Sequence, residues 1–241
     1  MQSNLVWSLA RLGKHHKVLK AASDQAVSMM DSMTPQAIAN FIWSHATLDI
    51  PIESRFLNAA ISQSESQLDS WVPQNLSNVA WALAVLKDQE NIQLEIKTFF
   101  PNIVRELESR LSEAEKERLF RSQHLTNFMW ALATLDYHPG SRSFCMILTS
   151  LIKRIEECIP QEISNASWSC ARLQHYDQPF MDTLASNVSA KIDQFKGQNL
   201  VGIIFIIFSR SFLNCFAFLI YSLCFAKRLS LRKLLFACRQ T

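Results

Sequence analysis

Near-copies of the segment QNLSNVAWALAVL, residues 74–86, recur along the chain and point to its architecture. The closest copy, QHLTNFMWALATL, occupies residues 123–135. Alignment on tryptophan gives five such segments, at residues 3–13, 35–49, 73–87, 122–136 and 160–174. Their tryptophans are 36, 38, 49 and 38 residues apart: Trp7, Trp43, Trp81, Trp130 and Trp168. Periods of this length indicate a repeat protein.

Four further positions are constant in all five copies. Relative to each tryptophan, Asn stands three residues before, Ser or Ala one after, Ala three after and Leu five after. The long interval contains a charged stretch, ELESRLSEAEKERLF at 106–120, which we interpret as a helical insertion with ion pairs four residues apart. A sixth start, GQNL at 197–200, is followed by Gly202 and Phe205 where Asn and Trp would stand.

Each repeat is predicted to contain two helices. The first opens with Pro, or Ser in the fourth copy, and then Gln, and Pro suits the first helical turn because its missing N–H is not needed there. The second is amphipathic, and its apolar stripe is clearest in Phe180, Leu184, Val188, Ile192 and Phe195. With only four glycines and seven prolines, and with few alternating runs of strand length, the chain is predicted to be all-α. We expect an α-solenoid of about five helix-turn-helix repeats of roughly 38 residues over residues 1–199.

A helical wheel with about 100° per residue divides the first helix of each repeat into faces. With Trp at the origin, apolar positions two and five residues on either side should face the second helix. The Ala three after Trp and the residue before Trp should pack on a neighbouring repeat. Between about 40° and 120° lies a polar stripe with the constant Asn, the small residue after Trp, and two variable positions, six before and four after Trp.

Less specific interpretations account for the same positions singly. We expect the tryptophans to fill space in the core between repeats. The asparagines are expected more often as buried groups tied to a neighbouring backbone than as ligand-binding residues. The variable positions vary in this view because they are merely solvated. None of these interpretations explains why the polar stripe is coherent across five copies, and a ladder of variable polar residues suits recognition of a linear polymer.

Charge is unevenly distributed. Residues 200–241 contain six basic and no acidic residues, so the first 199 carry 18 basic against 21 acidic ones. A strongly basic surface for nucleic acid is therefore not expected, and binding must use local patches. Candidates near first-helix ends are Arg11, Lys14, Arg172, His15, His16, His124, His138 and His175. The six cysteines have no metal-ligand spacing and favour a reducing compartment.

The pattern PQ-x-[LI]-[STA]-N-x-x-W-[AS]-x-A-x-L, in units of about 38 residues, resembles the octotricopeptide repeat. It is also similar to the helical repeats of FAST-kinase-like and RAP-domain proteins and of the RNA-editing substrate-binding complex subunit. The resemblance covers residues 1–199 and implies a paired-helix solenoid that binds single-stranded organellar RNA, with RNA-processing proteins as further partners. It implies action in RNA processing, stability, editing or translation in a mitochondrion or chloroplast.

Carried over by position, the resemblance makes the polar stripe the RNA-facing ladder. The candidate RNA-binding residues are Asn4, Arg11, Asn40, Thr47, Asn75, Asn78, His124, Asn127, Thr134, Glu162, Asn165 and Arg172. No transit peptide precedes the first repeat and no RAP domain follows the last, and Met1 begins inside a repeat, so we expect an N-terminally truncated sequence.

The segment from 200 to 241 has no repeat pattern, and residues 200–226 are apolar and long enough to span a bilayer. A membrane anchor, a buried helix and translated non-coding sequence are the alternatives. We favour the last, because the sixth repeat begins correctly and is then lost, and because Arg210 and Asn214 suit a span poorly.

No catalytic motif is present: the sequence contains no H-E-x-x-H, no phosphate-binding Gly-rich loop and no G-x-S-x-G. No cofactor or metal site is expected, and the pair His15–His16 is interpreted as solvated. Two functions remain, an RNA-binding solenoid and a protein-binding scaffold of the same architecture.

Overall fold

The fold is all-α, as predicted. The structure is a computed structural model that describes residues 2–14 and 18–197 together with positions 199 and 203. Within these residues it contains eleven packed α-helices and no strand. The chain forms two compact units, residues 1–120 and 121–241.

Among the described residues, unit 1 contains seven α-helices and unit 2 contains four. The helices of unit 1 are α1 Gln2–Arg11, α2 Val18–Ser28, α3 Pro35–Thr47, α4 Ser54–Glu65, α5 Pro73–Val85, α6 Gln93–Ser112 and α7 Ala114–Glu117. Those of unit 2 are α8 Ser122–Thr134, α9 Ser141–Ile152, α10 Pro160–Arg172 and α11 Gln178–Lys191. Every tryptophan-containing segment is thus a helix, followed by a second helix as the sequence predicts.

Helices of the same kind pack side by side within each unit. In unit 1 the tryptophan helices α1, α3 and α5 form one layer, and α2, α4 and α6 form another. In unit 2, α8 packs on α10 and α9 packs on α11. The tryptophan helices make the more extensive contacts, because small residues line their flanks: Ala39, Ser77, Thr126 and Ser164, each four residues before Trp, are all buried.

The predicted core faces are confirmed. The constant Ala three residues after Trp is buried in all five copies. Positions two before and two after Trp are buried in α3, α5, α8 and α10, for example Phe41 and His45 in α3. The prediction is wrong for α1, where Leu5 and Leu12 of the predicted core face are exposed. On the second helix of the last pair, the whole stripe from Phe180 to Phe195 is buried. Together these faces remove apolar area that neither helix of a pair could bury alone.

Most tryptophan helices also end in the same way. The sixth residue after Trp adopts a left-handed backbone in four of the five: Gly13 (φ 61°), Asp49 (φ 53°), Asp136 (φ 51°) and Gln174 (φ 52°). The amide of the next residue then bonds back to a carbonyl in the last helical turn, as Ile50 does to His45 at 3.0 Å. This is the Schellman arrangement, for which glycine is the usual residue. Helix α5 instead continues into a 3-10 turn, Leu86–Asp88.

The charged insertion is helical, as expected. It extends α6 to Ser112 and adds α7. Glu106 and Arg110 pair at 2.6 Å four residues apart, whereas Lys116–Glu113 and Arg118–Glu115 pair three residues apart. Two of these pairs are exposed, but the Arg110 side chain is only 7% exposed.

The predicted sixth start is helical at Gly197 and Asn199. The Asn199 amide donates to Gln161 Oε1 at 2.8 Å, its Oδ1 accepts from the Lys196 N–H at 3.2 Å, and Ile203 is fully buried. The rest of the 200–241 segment, including the proposed span at 200–226, lies outside the described residues. Within the described part of the chain, no helix is both long and apolar enough to cross a membrane.

Candidate functional site

One face of each tryptophan helix remains accessible, and its centre differs from the prediction. The accessible positions lie seven before, three before, at and four after the tryptophan position, which is the spacing of one helical stripe. These residues are Gln36, Asn40, Trp43 and Thr47 in α3, and Gln74, Asn78, Trp81 and Val85 in α5. They are Gln123, Asn127, Trp130 and Thr134 in α8, and Gln161, Asn165, Trp168 and Arg172 in α10. In α1 they are Asn4, Trp7 and Arg11.

The predicted stripe is therefore rotated. The small residue after Trp, placed on the stripe by the wheel, is buried in α3, α5, α8 and α10. Conversely, Trp and the constant Gln, which the wheel left off the stripe, belong to it. The reason is packing: the small residue supports the approach of the adjacent helix and so lies inside the contact between helices.

The expectation that the tryptophans fill space between repeats holds only in part: Trp43 contacts Trp81 and Trp130 contacts Trp168 between adjacent helices, but none of the five repeat tryptophans is fully buried. Trp7 is 41% exposed, and Trp43, Trp81, Trp130 and Trp168 are partly exposed. The core tryptophan is the sixth, Trp71, which lies outside the repeat alignment and is 1% exposed. Its indole Nε1 is buried without a hydrogen-bond partner in the described part of the chain.

Four of the stripe tryptophans form two similar pairs. In unit 1 the rings of Trp43 and Trp81 have centroids 6.4 Å apart and planes inclined by 36°. In unit 2 the rings of Trp130 and Trp168 have centroids 6.5 Å apart and planes inclined by 31°. The fifth, Trp7, has the guanidinium of Arg11 over its ring at 5.7 Å.

The asparagines of the stripe are not tied to a neighbouring backbone. Asn4 is exposed, and Asn40, Asn78, Asn127 and Asn165 are half-buried. Across the described residues, the side-chain amides of Asn40, Asn78 and Asn127 make no hydrogen bond to another residue, whereas Asn165 accepts one from Gln161 at 2.9 Å. A side-chain amide without an internal hydrogen-bond partner can donate hydrogen bonds to a ligand and accept them from it.

The position six residues before Trp serves the helix start instead. It is the third helical residue, and its side chain is partly or fully buried in Asn75, His124 and Glu162. His124 Nδ1 accepts from the Arg121 N–H at 3.2 Å, and Glu162 Oε2 accepts from the Ile159 N–H at 3.2 Å. These are capping contacts. Burial, with the charge of Arg121, lowers the pKa of His124 to about 4, so the ring is neutral near pH 7.

The variable position four residues after Trp is more accessible. Arg11, Thr47 and Arg172 are exposed, Val85 is half-buried, and the hydroxyl of Thr134 is buried although the residue is half-buried. Arg172 lies 4.0 Å from the Asp136 carboxylate, an exposed pair that salt screens and that leaves the guanidinium able to exchange partners.

Among the residues that the structure describes, basic groups near the stripe are few. Lys14 and His138 are exposed and His175 is half-buried, and burial lowers the pKa of His175 below its ordinary value. His15 and His16 lie outside the described residues. Within the described residues, no group of three His, Cys, Asp or Glu side chains could hold a metal ion.

Sequence reasoning missed one part of this face. The Gln seven residues before Trp recurs at 36, 74, 123 and 161 and is exposed in every case. The signal was present, since Gln is the second residue of each opening PQ or SQ motif. Comparison with models of known protein families and with curated proteins finds no match to this chain.

Proposed function

We propose that this protein is an RNA-binding helical-repeat protein with an α-solenoid fold. Single-stranded RNA binds to the stripe of Gln, Asn, Trp and a variable residue on its tryptophan helices. Its role in this proposal is binding rather than catalysis, in the processing, stability, editing or translation of mitochondrial or chloroplast RNA. The observation that carries the proposal is the accessibility of the same four positions on successive packed helices.

The chemistry of the stripe suits unpaired bases. Indole rings stack on bases of any sequence, and side-chain amides hydrogen-bond to base edges that are exposed only in single strands. The asparagines of three helices keep their amides without an internal partner, although such groups in folded proteins are usually satisfied. A surface that served only solubility would not repeat a large aromatic ring at each step.

Charge predicts how binding responds to salt. The described stripe carries two arginines, Arg11 and Arg172, with Lys14 at the end of α1. Two or three phosphate contacts to a single strand give a slope of log K against log salt of about −2. The binding is therefore expected to persist at salt concentrations that release strongly basic proteins from RNA.

The test is binding of a fluorescein-labelled single-stranded RNA of mixed sequence, followed by fluorescence anisotropy. The variant Asn78→Ala with Asn127→Ala should weaken binding about tenfold or more, because each lost base contact is worth roughly 1 kcal/mol. The matched control is Asn58→Ala, an exposed asparagine on the second helix α4, which should bind as the unaltered protein does.

A protein-binding scaffold makes the opposite prediction. In that case the protein would not bind single-stranded RNA with measurable affinity, and the stripe variants would have nothing to weaken. Equal weakening by Asn58→Ala and the stripe variants would also contradict the proposal, because binding would then not depend on the stripe.

A further inference from the structure

An apolar residue recurs at a fixed place in the connections that lead to the tryptophan helices. It stands two residues before the first helical residue, here called the plug position, and in the described connections it is Met33, Trp71, Phe120, Cys158 or Phe195. Trp71 and Phe120 are 1% exposed, and Cys158 and Phe195 are 3% exposed. Met33 differs from the others, because it is only half-buried.

A cavity of about 400 Å³ adjoins Met33 within unit 1. It lies between α1, α2 and α3, and its apolar wall consists of Ala26, Met29, Met33, Ala37 and Phe41. Small-molecule sites in proteins have volumes from about 300 Å³ upwards and mostly apolar walls. We infer that this cavity binds a small uncharged aromatic molecule of one or two rings, which takes the place that a larger plug residue fills in later repeats. The inference does not depend on the proposed function.

The backbone supports the comparison between repeats. Met33 has φ −77° and ψ 132°, and Trp71 has φ −70° and ψ 138°. Cys158 and Phe195 have the same extended conformation, with φ −64° and −79° and ψ 131° and 126°. Because each of these residues is also equally far from the next helix along the chain, its side chain leaves the backbone in a similar direction relative to that helix. The Met33 side chain therefore starts in the direction that Trp71 takes one repeat later, without a ring to fill the space.

The lining of the cavity indicates the class of ligand. None of the residues that line it is charged, and an apolar wall disfavours a charged ligand because the charge would lose its hydration. Two wall residues, Met29 and Met33, are methionines, and thioether sulfur makes favourable contacts with aromatic rings. The ring of Phe41 adds an aromatic surface on which a further ring can pack. An uncharged aromatic molecule meets all three conditions.

Hydrogen bonds hold the turn at the edge of the cavity. Gln63 Nε2, on α4, donates to the Asp31 carbonyl at 3.2 Å. Gln67 Nε2 donates to the Met33 carbonyl at 3.4 Å. These bonds fix the backbone around Met33, so that entry of a ligand requires movement of flexible methionine side chains and not of the turn.

The test uses indole, the ring system of Trp71, as the probe, and the protein labelled with carbon-13 at its methionine methyl groups. Nuclear magnetic resonance should show a saturable upfield shift of the Met29 and Met33 methyl signals at indole concentrations on the order of millimolar. The shift is expected because the ring current of a bound aromatic molecule acts on methyl groups that contact its face. The methyl signals of Met129 and Met181, which are buried in unit 2, should not move.

The variant Met33→Trp supplies the ring from the chain itself. It should abolish the indole-dependent shift of the Met29 signal and raise the thermal midpoint by about 2 °C or more, because filling a cavity stabilises the folded state. The matched control is Leu94→Trp, which adds an indole ring outside the cavity at a residue that is 70% exposed. This control should bind indole as the unaltered protein does and leave the midpoint nearly unchanged.

The inference is overturned if the Met29 and Met33 signals show no saturable shift. An equal shift of the Met129 and Met181 signals would also overturn it, because indole would then partition into the protein without a defined site. Indole binding that persists in Met33→Trp, or a lowered midpoint of this variant, would mean that no ring fits beside Met33. None of these results bears on RNA binding, because no residue of the stripe lines the cavity.

Discussion

The two units use different side chains to satisfy the carbonyl oxygens of the turns between their helices. In each unit a 3-10 turn follows a second helix and leads to the next tryptophan helix: Leu68–Ser70 after α4 in unit 1 and Ile155–Glu157 after α9 in unit 2. Such turns leave carbonyl oxygens without helical partners, and these must be satisfied when they are buried. In both units a side chain from the following second helix donates to them.

At the Leu68–Ser70 turn of unit 1 the donor is charged, whereas at the Met30–Ser32 turn the Gln63 amide donates to the Asp31 carbonyl at 3.2 Å. Arg110, on the part of α6 that the insertion contributes, donates to the carbonyls of Leu68 at 3.1 Å, Asp69 at 2.9 Å and Trp71. Its Nε pairs with Glu106 at 2.6 Å. A planar guanidinium can serve all four acceptors together because its donors are fixed in a fork.

In unit 2 the buried donor is neutral. Asn187, on α11 and 2% exposed, donates to the Ile155 carbonyl at 3.2 Å. Lys191 adds a bond from its ammonium to the Glu156 carbonyl at 2.6 Å. The insertion in unit 1 therefore contributes to the packing of the unit, since it supplies Arg110, whose hydrogen bonds stabilise the Leu68–Ser70 turn.

The largest effect is expected from removal of Arg110. Arg110→Ala should destabilise unit 1 by about 3 kcal/mol, because one buried carbonyl, two partly buried carbonyls and the Glu106 carboxylate lose their donor together. Arg110→Lys should recover only part of this, since one ammonium cannot reach all the acceptors. Hydrogen exchange followed by mass spectrometry localises the change to the amides of α5 and α6.

The matched control lies in the same insertion. Arg118→Ala removes an arginine that is 71% exposed and pairs with Glu115 at 3.3 Å, and it should change stability by less than about 0.5 kcal/mol. Equal effects of the two substitutions would mean that the insertion is stabilised by its helical content and not by the Arg110 contacts.

A smaller loss is expected for the neutral counterpart. Asn187→Ala should destabilise unit 2 by about 1–2 kcal/mol, because it leaves one buried carbonyl unsatisfied and removes no charge. Urea unfolding combined with exchange at α9 and α11 measures the loss. Ser186→Ala, on the exposed side of the same helix, should be nearly neutral. A loss for Asn187→Ala as large as that for Arg110→Ala would remove the distinction between the two devices.

The hydrogen bonds of Arg110 and Asn187 could not be predicted from the sequence, whereas the helices could. Helix type, pairing and the buried faces followed from periodicity, because burial of apolar side chains depends mainly on spacing along a helix. The roles of Arg110 and Asn187 could not be predicted, because neither residue lies in a repeated motif. Arg110 donates to a carbonyl 41 residues away along the chain, and Asn187 donates to one 32 residues away. The left-handed ends at Asp49, Asp136 and Gln174 were missed for a similar reason, as only Gly13 carries the usual residue.

The candidate site was predicted in part. The constant Asn lies on the accessible stripe, but Trp and Gln were left off it and the small residue after Trp was included. A helical wheel gives angles about one axis and contains no information on how closely neighbouring helices approach. The roles of His124 and Glu162 in capping were missed because position three of a helix was judged by its variability rather than by its backbone neighbours.

The smallest expected effect on stability concerns a second difference between the units, which lies at the N-terminal ends of the tryptophan helices. In unit 2 a titratable side chain, His124, accepts from the backbone at the start of α8, whereas in unit 1 the Thr34 hydroxyl accepts from the Ala37 N–H at 3.3 Å at the start of α3. The pKa of His124 is lowered to about 4 in the folded protein from 6.5, so between these values the unfolded chain binds more protons. The stabilisation from His124 is therefore complete above pH 6.5 and is lost as the pH falls towards 4.

This difference is measured by exchange against pH for the unaltered protein and for His124→Gln, whose side-chain oxygen can accept the same bond at any pH. The unaltered protein should lose protection at the start of α8 between pH 6.5 and 4 relative to the variant, and the two should not differ at the start of α3. His45, buried in α3, also has a lowered pKa, but it is present in both proteins and cancels in the comparison. If the loss of protection is the same with glutamine at position 124, the cap does not depend on the charge of this ring, and the start of α8 is no more sensitive to acid than that of α3.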